Sequence, residues 1–253
     1  MTSTPKPPAS LDQIVLGTRH LLLDFDGPIC SIFAGLTNET VAGQLRDLIT
    51  SQGIPLPADV AAAFDPFDVF DYAATISPAL AAGVEAAMTE LEVTAVKTAD
   101  PSAYVHEAVT SCRDSGRTVT VVSNNSARAV RAYLTMHALD GPINLVIART
   151  SPDPGLLKPH PHLIEQAITA NKSDPAACTL VGDSVTDIHA ARDAGTHSIG
   201  YANKPGKTDS LAEAGADAMI TSLAQLALTL RARPLMPLCQ DLGGDGGTVI
   251  STV

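Results

Sequence analysis

Residues 20–28 read HLLLDFDGP: an apolar run that ends on two aspartates separated by one residue, followed by Gly27-Pro28. The run has the composition of a buried strand, and the Gly-Pro pair turns the chain out of it. If Asp24 and Asp26 continue the strand, both side chains point to one face. The same grammar recurs downstream. RTVTVVS (117–123), INLVIA (143–148), CTLVGD (178–183), HSIGYA (197–202) and DAMITS (217–222) are short β-rich runs, most of them continuously apolar, as strands covered on both faces are. Between them ARAVRAYLTMHAL (127–139), HLIEQAITAN (162–171) and TDIHAARDAG (186–195) carry apolar residues at helical spacing. Alternating strand and helix predicts an α/β fold, a doubly wound parallel sheet joined by right-handed crossovers.

One interval breaks the rhythm. Residues 31–96 contain no convincing strand and many Ala, Leu and Val at helical spacing, with Gly53–Pro57, Pro66 and Pro78 as punctuation. A structureless loop of that length does not suit a compact domain, so the interval predicts a small all-helical domain inserted after the first strand. The expected organisation is therefore a core of 13–30 and 97–233 around a helical insertion of 31–96. Residues 1–12 read as a flexible leader and 234–253, with GGDGG at 243–247, as a flexible tail. The tail's glycines lack the Lys-Ser/Thr and helix of a phosphate-binding P-loop.

The chain of 253 residues is 45% hydrophobic and 17% charged, enough to bury a core, with 27 acidic and 16 basic side chains. A formal charge of −11 argues against nucleic-acid and anionic-membrane partners. No apolar run is long enough to span a bilayer, and the first 20 residues lack a secretory pattern, so a cytoplasmic location is expected. Cys30, Cys112, Cys178 and Cys239 form no CxxC pair and suggest neither a zinc site nor a disulfide framework.

Open parallel sheets bind ligands beyond the carboxyl ends of their strands, and there the unusual polar residues gather. Asp24 and Asp26 follow the first strand, Ser123-Asn124 the second, and Asp183 and Asp187 a later one; Lys158, in KPHP, precedes a helix. Carboxylates so close together repel, and a hard divalent cation such as Mg²⁺, which favours carboxylates, waters and a phosphate oxygen, relieves them. A lone aspartate at a strand end is usually only a turn or a helix cap; the joint occurrence is what carries weight.

These motifs, in this order over about residues 20–225, resemble the haloacid dehalogenase (HAD) superfamily, in its phosphatase-type members with a helical cap after the first strand. DFDGP (24–28) is similar to the family's DxDG motif, Ser123 to its strand-ending Ser/Thr, Lys158 to its lysine motif, and GDSVTD (182–187) to GDxxxD. The resemblance implies a Rossmann-like core and a hydrolase that cleaves small-molecule phosphomonoesters through an aspartyl-phosphate. It implies that Asp24 is the nucleophile and Asp26 the general acid and base, with Ser123, the Asn124 N–H and Lys158 holding phosphate. Mg²⁺ would lie between the Asp24 and Asp183 carboxylates and the Asp26 carbonyl. Asp187 would be either a further ligand or a partner that orients Lys158 or a metal-bound water. Relatives that cleave carbon–halogen or carbon–phosphorus bonds generally lack an acid at the Asp26 position, and the latter use a cap lysine. Residues 30–96 contain no lysine, so phosphate-ester chemistry fits better. Two alternatives remain: a phosphosugar mutase of the same fold, and a ligand-binding relative without catalysis.

Other candidates are weaker. His160 and His162 read as packing at a helix start rather than a zinc site, and Cys30 as a small buried residue. Phe67, Phe70 and Tyr72 either line a pocket or form the core of the insertion, the second being favoured. Residues 30–96 hold nine acidic side chains and Arg46 as their one base. These acids are either a solvated helix surface or the sign that the expected partner, a small phosphorylated metabolite, has a neutral or cationic leaving group.

Overall fold

The computed structural model describes residues 10–235. Its core is a single sheet of six parallel strands: β1 (His20–Leu23), β2 (Thr118–Ser126), β3 (Leu145–Arg149), β4 (Cys178–Gly182), β5 (His197–Tyr201) and β6 (Ala218–Ile220). They lie in the order β3-β2-β1-β4-β5-β6, so β1 is flanked by β2 on one side and β4 on the other. The register sets Leu21 beside both Val119 and Thr179. Side-chain alternation then sorts the core. Leu21, Leu23, Val119 and Val121 face one layer, while Leu22, Val122 and Leu180 face the other. Every strand expected from the sequence is present within a few residues.

Eleven α-helices accompany the strands among the described residues. In chain order they are α1 (Leu11–Gly17), α2 (Asn38–Ser51), α3 (Ala58–Ala61), α4 (Pro66–Ile76), α5 (Pro78–Ala95), α6 (Val105–Asp114), α7 (Ala127–Met136), α8 (His162–Ala170), α9 (Val185–Asp193), α10 (Lys207–Glu213) and α11 (Leu223–Ala232). Helices α2–α5 occupy the interval expected to be helical, and proline opens both α4 and α5, where its missing N–H costs no bond. Their apolar faces, including Leu45, Ile49, Phe70 and Val84, merge with the sheet layer that holds Leu22 and Val122.

The amino-terminal expectation needs correction. Residues 1–9 lie outside the described chain, but Ser10–Asp12 are not a flexible leader. Ser10 and Gln13 form a reciprocal capping box that starts α1, whose Ile14 and Val15 are buried. The end of α1 is held by Arg117, a buried guanidinium that donates from Nη2 to the Val15 carbonyl at 2.9 Å, from Nε to Thr18 at 2.9 Å and from Nη1 to Ser115 Oγ at 2.7 Å. Of the expected tail only Pro234 and Leu235 are described, and the Leu235 N–H donates to the Ser115 carbonyl at 2.8 Å. The GGDGG stretch lies outside the described residues. No described helix is long and apolar enough to cross a membrane.

Arg117→Met would take the side-chain donor from the Thr18 carbonyl and leave the Val15 carbonyl with the Thr18 N–H alone. We expect it to lower unfolding free energy by about 2–3 kcal/mol, read from urea denaturation.

Candidate active site

The candidate residues are assembled at the carboxyl edge of the sheet around β1. Asp24 follows β1 directly, and its N–H donates to Val181 of β4 at 2.9 Å, which carries the strand pairing up to the aspartate. The chain then doubles back: the Ile29 and Cys30 N–H groups both bond the Phe25 carbonyl, and Ser102 Oγ donates to the Gly27 carbonyl at 2.7 Å. Gly27 has φ +109°, and a Cβ there would lie 2.3 Å from Asp183 Cγ, so glycine is required on both counts. At Gly182 a Cβ would meet Asp187 at 2.4 Å. The two glycines let the DFDGP turn and the GDSVTD segment approach closely.

Lys158 is the hub. Its ammonium donates to Asp24 Oδ1 at 2.7 Å, Asp187 Oδ1 at 2.6 Å and the Val122 carbonyl at 3.1 Å, so all three protons are engaged. Burial alone would lower the Lys158 pKa, but Asp187 and Asp24 outweigh it and hold the group above its ordinary value. Burial first, and then the Asp187 charge, raise Asp24 above its ordinary value against the pull of Lys158. Asp24 Oδ1 also accepts from the Phe25 N–H at 2.7 Å, and Oδ2 has no hydrogen bond among the described residues. Asp26 Oδ1 accepts from the Ile32 N–H at 3.0 Å, and burial raises the Asp26 carboxyl to about 6 against that bond.

Asp183 and Asp187 differ in what they hold. Asp187 is fully buried and, in the first turn of α9, completes the capping box opened by Ser184: its Oδ2 accepts from the Ser184 hydroxyl at 2.6 Å and N–H at 3.1 Å, while Oδ1 takes Lys158. Asp183 Oδ2 accepts from Asn203 Nδ2 at 3.0 Å and pairs with Lys207. Asp24, Asp183 and Asp187 each offer an oxygen within 4.8 Å of the others, a cluster with the hard oxygen donors a divalent cation takes.

At the end of β2, Ser123 is fully buried; its Oγ accepts from the Asn125 N–H at 3.0 Å and donates to Asn125 Oδ1 at 3.2 Å. Asn124 brackets the backbone of Lys158, with Nδ2 donating to its carbonyl at 2.9 Å and Oδ1 accepting from its N–H at 2.8 Å. A cavity of about 340 Å³ opens above these groups. Asn124 and Asn125 line it and Ser123 does not. Helix α4 forms the opposite wall with Asp65, Phe67, Asp68 and Asp71. Among its lining residues seven carboxylates face Lys158 as the single cation.

Several expectations resolve here. Phe70 is fully buried in the insertion core, while Phe67 answers to both readings: half-buried, it packs against that core and also lines the cavity. Tyr72 Oη donates to the Pro55 carbonyl at 2.8 Å, away from that cavity. His160 accepts from the His162 N–H at 3.2 Å, and His162 contacts Gln166 one turn on, an arrangement of a helix start. Burial pushes the Cys30 thiol far up. The sequence reading missed Asn125, Asn203, Lys207 and Arg149. Lys207 and Asn203 follow β5 at the same sheet edge, so the strand-end rule that found Asp183 was available for them.

A family model described as haloacid dehalogenase-like hydrolase matches residues 68–201, just over half of the chain. A pyrophosphatase, PpaX of Anoxybacillus flavithermus, is 30% identical over 122 residues, 48% of this chain and 56% of that protein. The chain thus spans about half the length of this curated relative. Among solved structures, a predicted phosphatase from Clostridium acetobutylicum is similar at a TM-score of 0.66 and 16% identity, covering 84% of this chain and 98% of that one. CbbY from Rhodobacter sphaeroides, in complex with phosphate, is similar at 0.61 and 17%, covering 83% and 96%. At such identities these two likenesses establish the fold.

Lys158→Met would leave Asp24 and Asp187 buried without their cation. We expect a loss of about 3–5 kcal/mol in unfolding free energy, with part of it recovered when Asp187→Asn is added, measured by denaturant titration of both variants.

Proposed function

We propose that this chain, which belongs to the haloacid dehalogenase-like hydrolase family, is a Mg²⁺-dependent phosphatase of small phosphomonoesters. The observation that carries the reading is the Lys158 ammonium shared by Asp24 and Asp187 on the floor of a cavity that Asp26 and Asp183 also line.

Asp24 Oδ2, the oxygen without a hydrogen bond among the described residues, attacks phosphorus while the bond to the leaving oxygen breaks. Asp26, whose carboxyl is poised near neutrality, gives that oxygen its proton. Asp26 then takes a proton from water, whose oxygen displaces Asp24 from phosphorus, releasing inorganic phosphate and restoring both carboxyl groups. Lys158 neutralises charge that builds on the phosphoryl oxygens, and the Asn124 N–H and Asn125, whose residues line the same cavity, would bond to them. Ser123 serves this turn by fixing Asn125. Asp24, Asp183 and the Asp26 carbonyl would hold Mg²⁺, which supplies further neutralisation of nucleophile and phosphate when bound. Both Asp187 oxygens are engaged, which supports its role as the residue that orients Lys158 rather than as a ligand.

The α4 wall narrows the substrate. Asp65, Asp68 and Asp71 face the cavity and have no ion pair among the described residues. All three are solvent-exposed, yet partial desolvation at the cavity mouth raises Asp65 and Asp71, and Asp68 adds its repulsion to both. A second phosphate or a carboxylate on the leaving group would meet this wall unfavourably, while an amine or a set of hydroxyls would bond to it. The leaving group is therefore neutral or cationic: a polyol, sugar or amino sugar.

The test is a panel of phosphate esters bearing amine, polyol, carboxylate or second-phosphate groups, together with pyrophosphate, after which the Anoxybacillus relative is named. Release of inorganic phosphate from the amine and polyol esters, abolished by EDTA and by Asp24→Asn and restored by Mg²⁺, is the expected result. Isomerised sugar phosphate without release would make it a mutase, and retained activity in Asp24→Asn would remove the nucleophile. Asp68→Asn is expected to raise KM for amine esters about 3–10-fold while changing polyol esters less.

A further inference from the structure

A buried ion pair outside the catalytic carboxylates joins the helical insertion to the phosphate turn. Arg149 ends β3 and is 2% exposed; Glu92 lies near the end of α5 and is fully buried. Arg149 Nη1 donates to Glu92 Oε1 at 3.1 Å and Nη2 to Glu92 Oε2 at 3.0 Å, while Nε reaches Glu85 at 3.1 Å. The pair does more than neutralise itself. Arg149 Nη1 also donates to the Asn124 carbonyl at 2.7 Å. Glu92 Oε2 accepts from the Ser126 N–H at 2.8 Å, and Oε1 from Asn125 Nδ2 at 3.2 Å. Three successive residues at the carboxyl end of β2, the phosphate turn of the proposed mechanism, are thus pinned by one ion pair, where the β2–β3 register shifts between Ser123 and Ser126.

Two routes lead from there to the reacting groups. Asn124 holds the Lys158 backbone by two hydrogen bonds, and Lys158 holds Asp24. Asn125 in turn fixes Ser123. On the other side, the Phe67 and Phe70 rings of α4 lie 5.9 Å from the Arg149 guanidinium carbon, and Phe67 lines the cavity. The guanidinium therefore touches the α4 wall, α5 and the phosphate turn at once.

From this juxtaposition we infer that Arg149 and Glu92 are positioning residues that register the helical insertion against the phosphate-holding turn and Lys158. The inference rests on the phosphatase reading for its kinetic consequence but not for its binding consequence. An ion pair used only for stability has no need to spend donors and acceptors on Asn124, Asn125 and Ser126. Arg149→Lys keeps the charge and loses the fork; Glu92→Gln keeps the shape and loses the charge.

The experiment uses the full-length protein with Mg²⁺ and inorganic phosphate as the probe. Titration calorimetry reads phosphate affinity, circular dichroism reads folding, and steady-state kinetics on the best ester of the panel reads kcat and KM. Arg149→Lys and Glu92→Gln are expected to stay folded, weaken phosphate binding about 10-fold or more and lower kcat by a similar factor. Arg128→Gln, at the exposed pair with Glu90, is expected to leave the affinity unchanged. A lowered melting temperature with wild-type phosphate affinity and kcat would make the pair merely structural and overturn the inference. If neither buried variant folds, Glu85→Gln at the margin decides: about 2–5-fold weaker phosphate binding supports the inference and unchanged affinity overturns it. A wild-type protein that binds phosphate but hydrolyses no ester removes the phosphatase reading, while the affinity comparison still judges the pair.

Discussion

The site is organised by a shortage of positive charge. Asp24 and Asp187 are both buried, and each would be costly there without a cation at hydrogen-bond distance. Lys158 supplies that cation, and its three protons fix its position against three different segments: Asp24 after β1, the Val122 carbonyl of β2, and Asp187 in the first turn of α9. That arrangement is possible only because β1 lies between β2 and β4, so the ends of the three strands open onto the same edge. The glycines at 27 and 182 follow from the same demand, since side chains there would occupy the space of Asp183 and Asp187. Turn composition and lysine placement thus answer one electrostatic requirement, which the sheet order makes it possible to meet.

This explains why so much was legible in the sequence. A parallel sheet buried on both faces must be written as continuous apolar runs, and the polar residues that end those runs must then face the ligand edge. Asp24, Asp26, Asn124, Asp183 and Asp187 were readable for that reason. What escaped had no such signature. Helix α6 begins at Tyr104 in the left-handed region and α10 at Gly206, neither with a side-chain cap, so the usual starting residue is missing from both. Helix α1 does have its cap in Ser10 and Gln13, but the surrounding Pro-, Ser- and Thr-rich composition hid it. Arg149 is one residue beyond the apolar run INLVIA, and nothing local says that its charge is buried.

The acidic character of residues 30–96 shows most clearly where composition stops being informative. The sequence offers one number, nine acids against Arg46, and two readings of it. The fold divides the acids among different tasks. Glu85 and Glu92 are consumed by Arg149, and Glu90 by Arg128, both cations coming from the core rather than the insertion. Asp65 caps α4 through the Phe67 N–H, yet it also faces the cavity with Asp68 and Asp71. Glu39, Asp47 and Asp59 lie exposed, as a solvated surface would have them, so each reading describes part of the distribution, and the glutamates that pair with core cations belong to neither.

The division has a physical consequence for selectivity. Lys158 and a bound cation would favour any phosphoryl group on the floor of the cavity, so the floor discriminates little among phosphate esters. On the proposed reading the α4 aspartates would act on whatever lies at the other end of the substrate, where their negative charge repels a second anion. A cavity with an attractive floor and a wall repulsive to anions accepts one negative group in one orientation and disfavours a second. Selectivity of this kind arises by exclusion and needs no individual close contact with the leaving group. It does need the wall to remain in register with the floor, and α4 meets the core at the guanidinium that Phe67 and Phe70 cover. The residues proposed to exclude a second anion and those proposed to hold the phosphate are therefore parts of one packed unit.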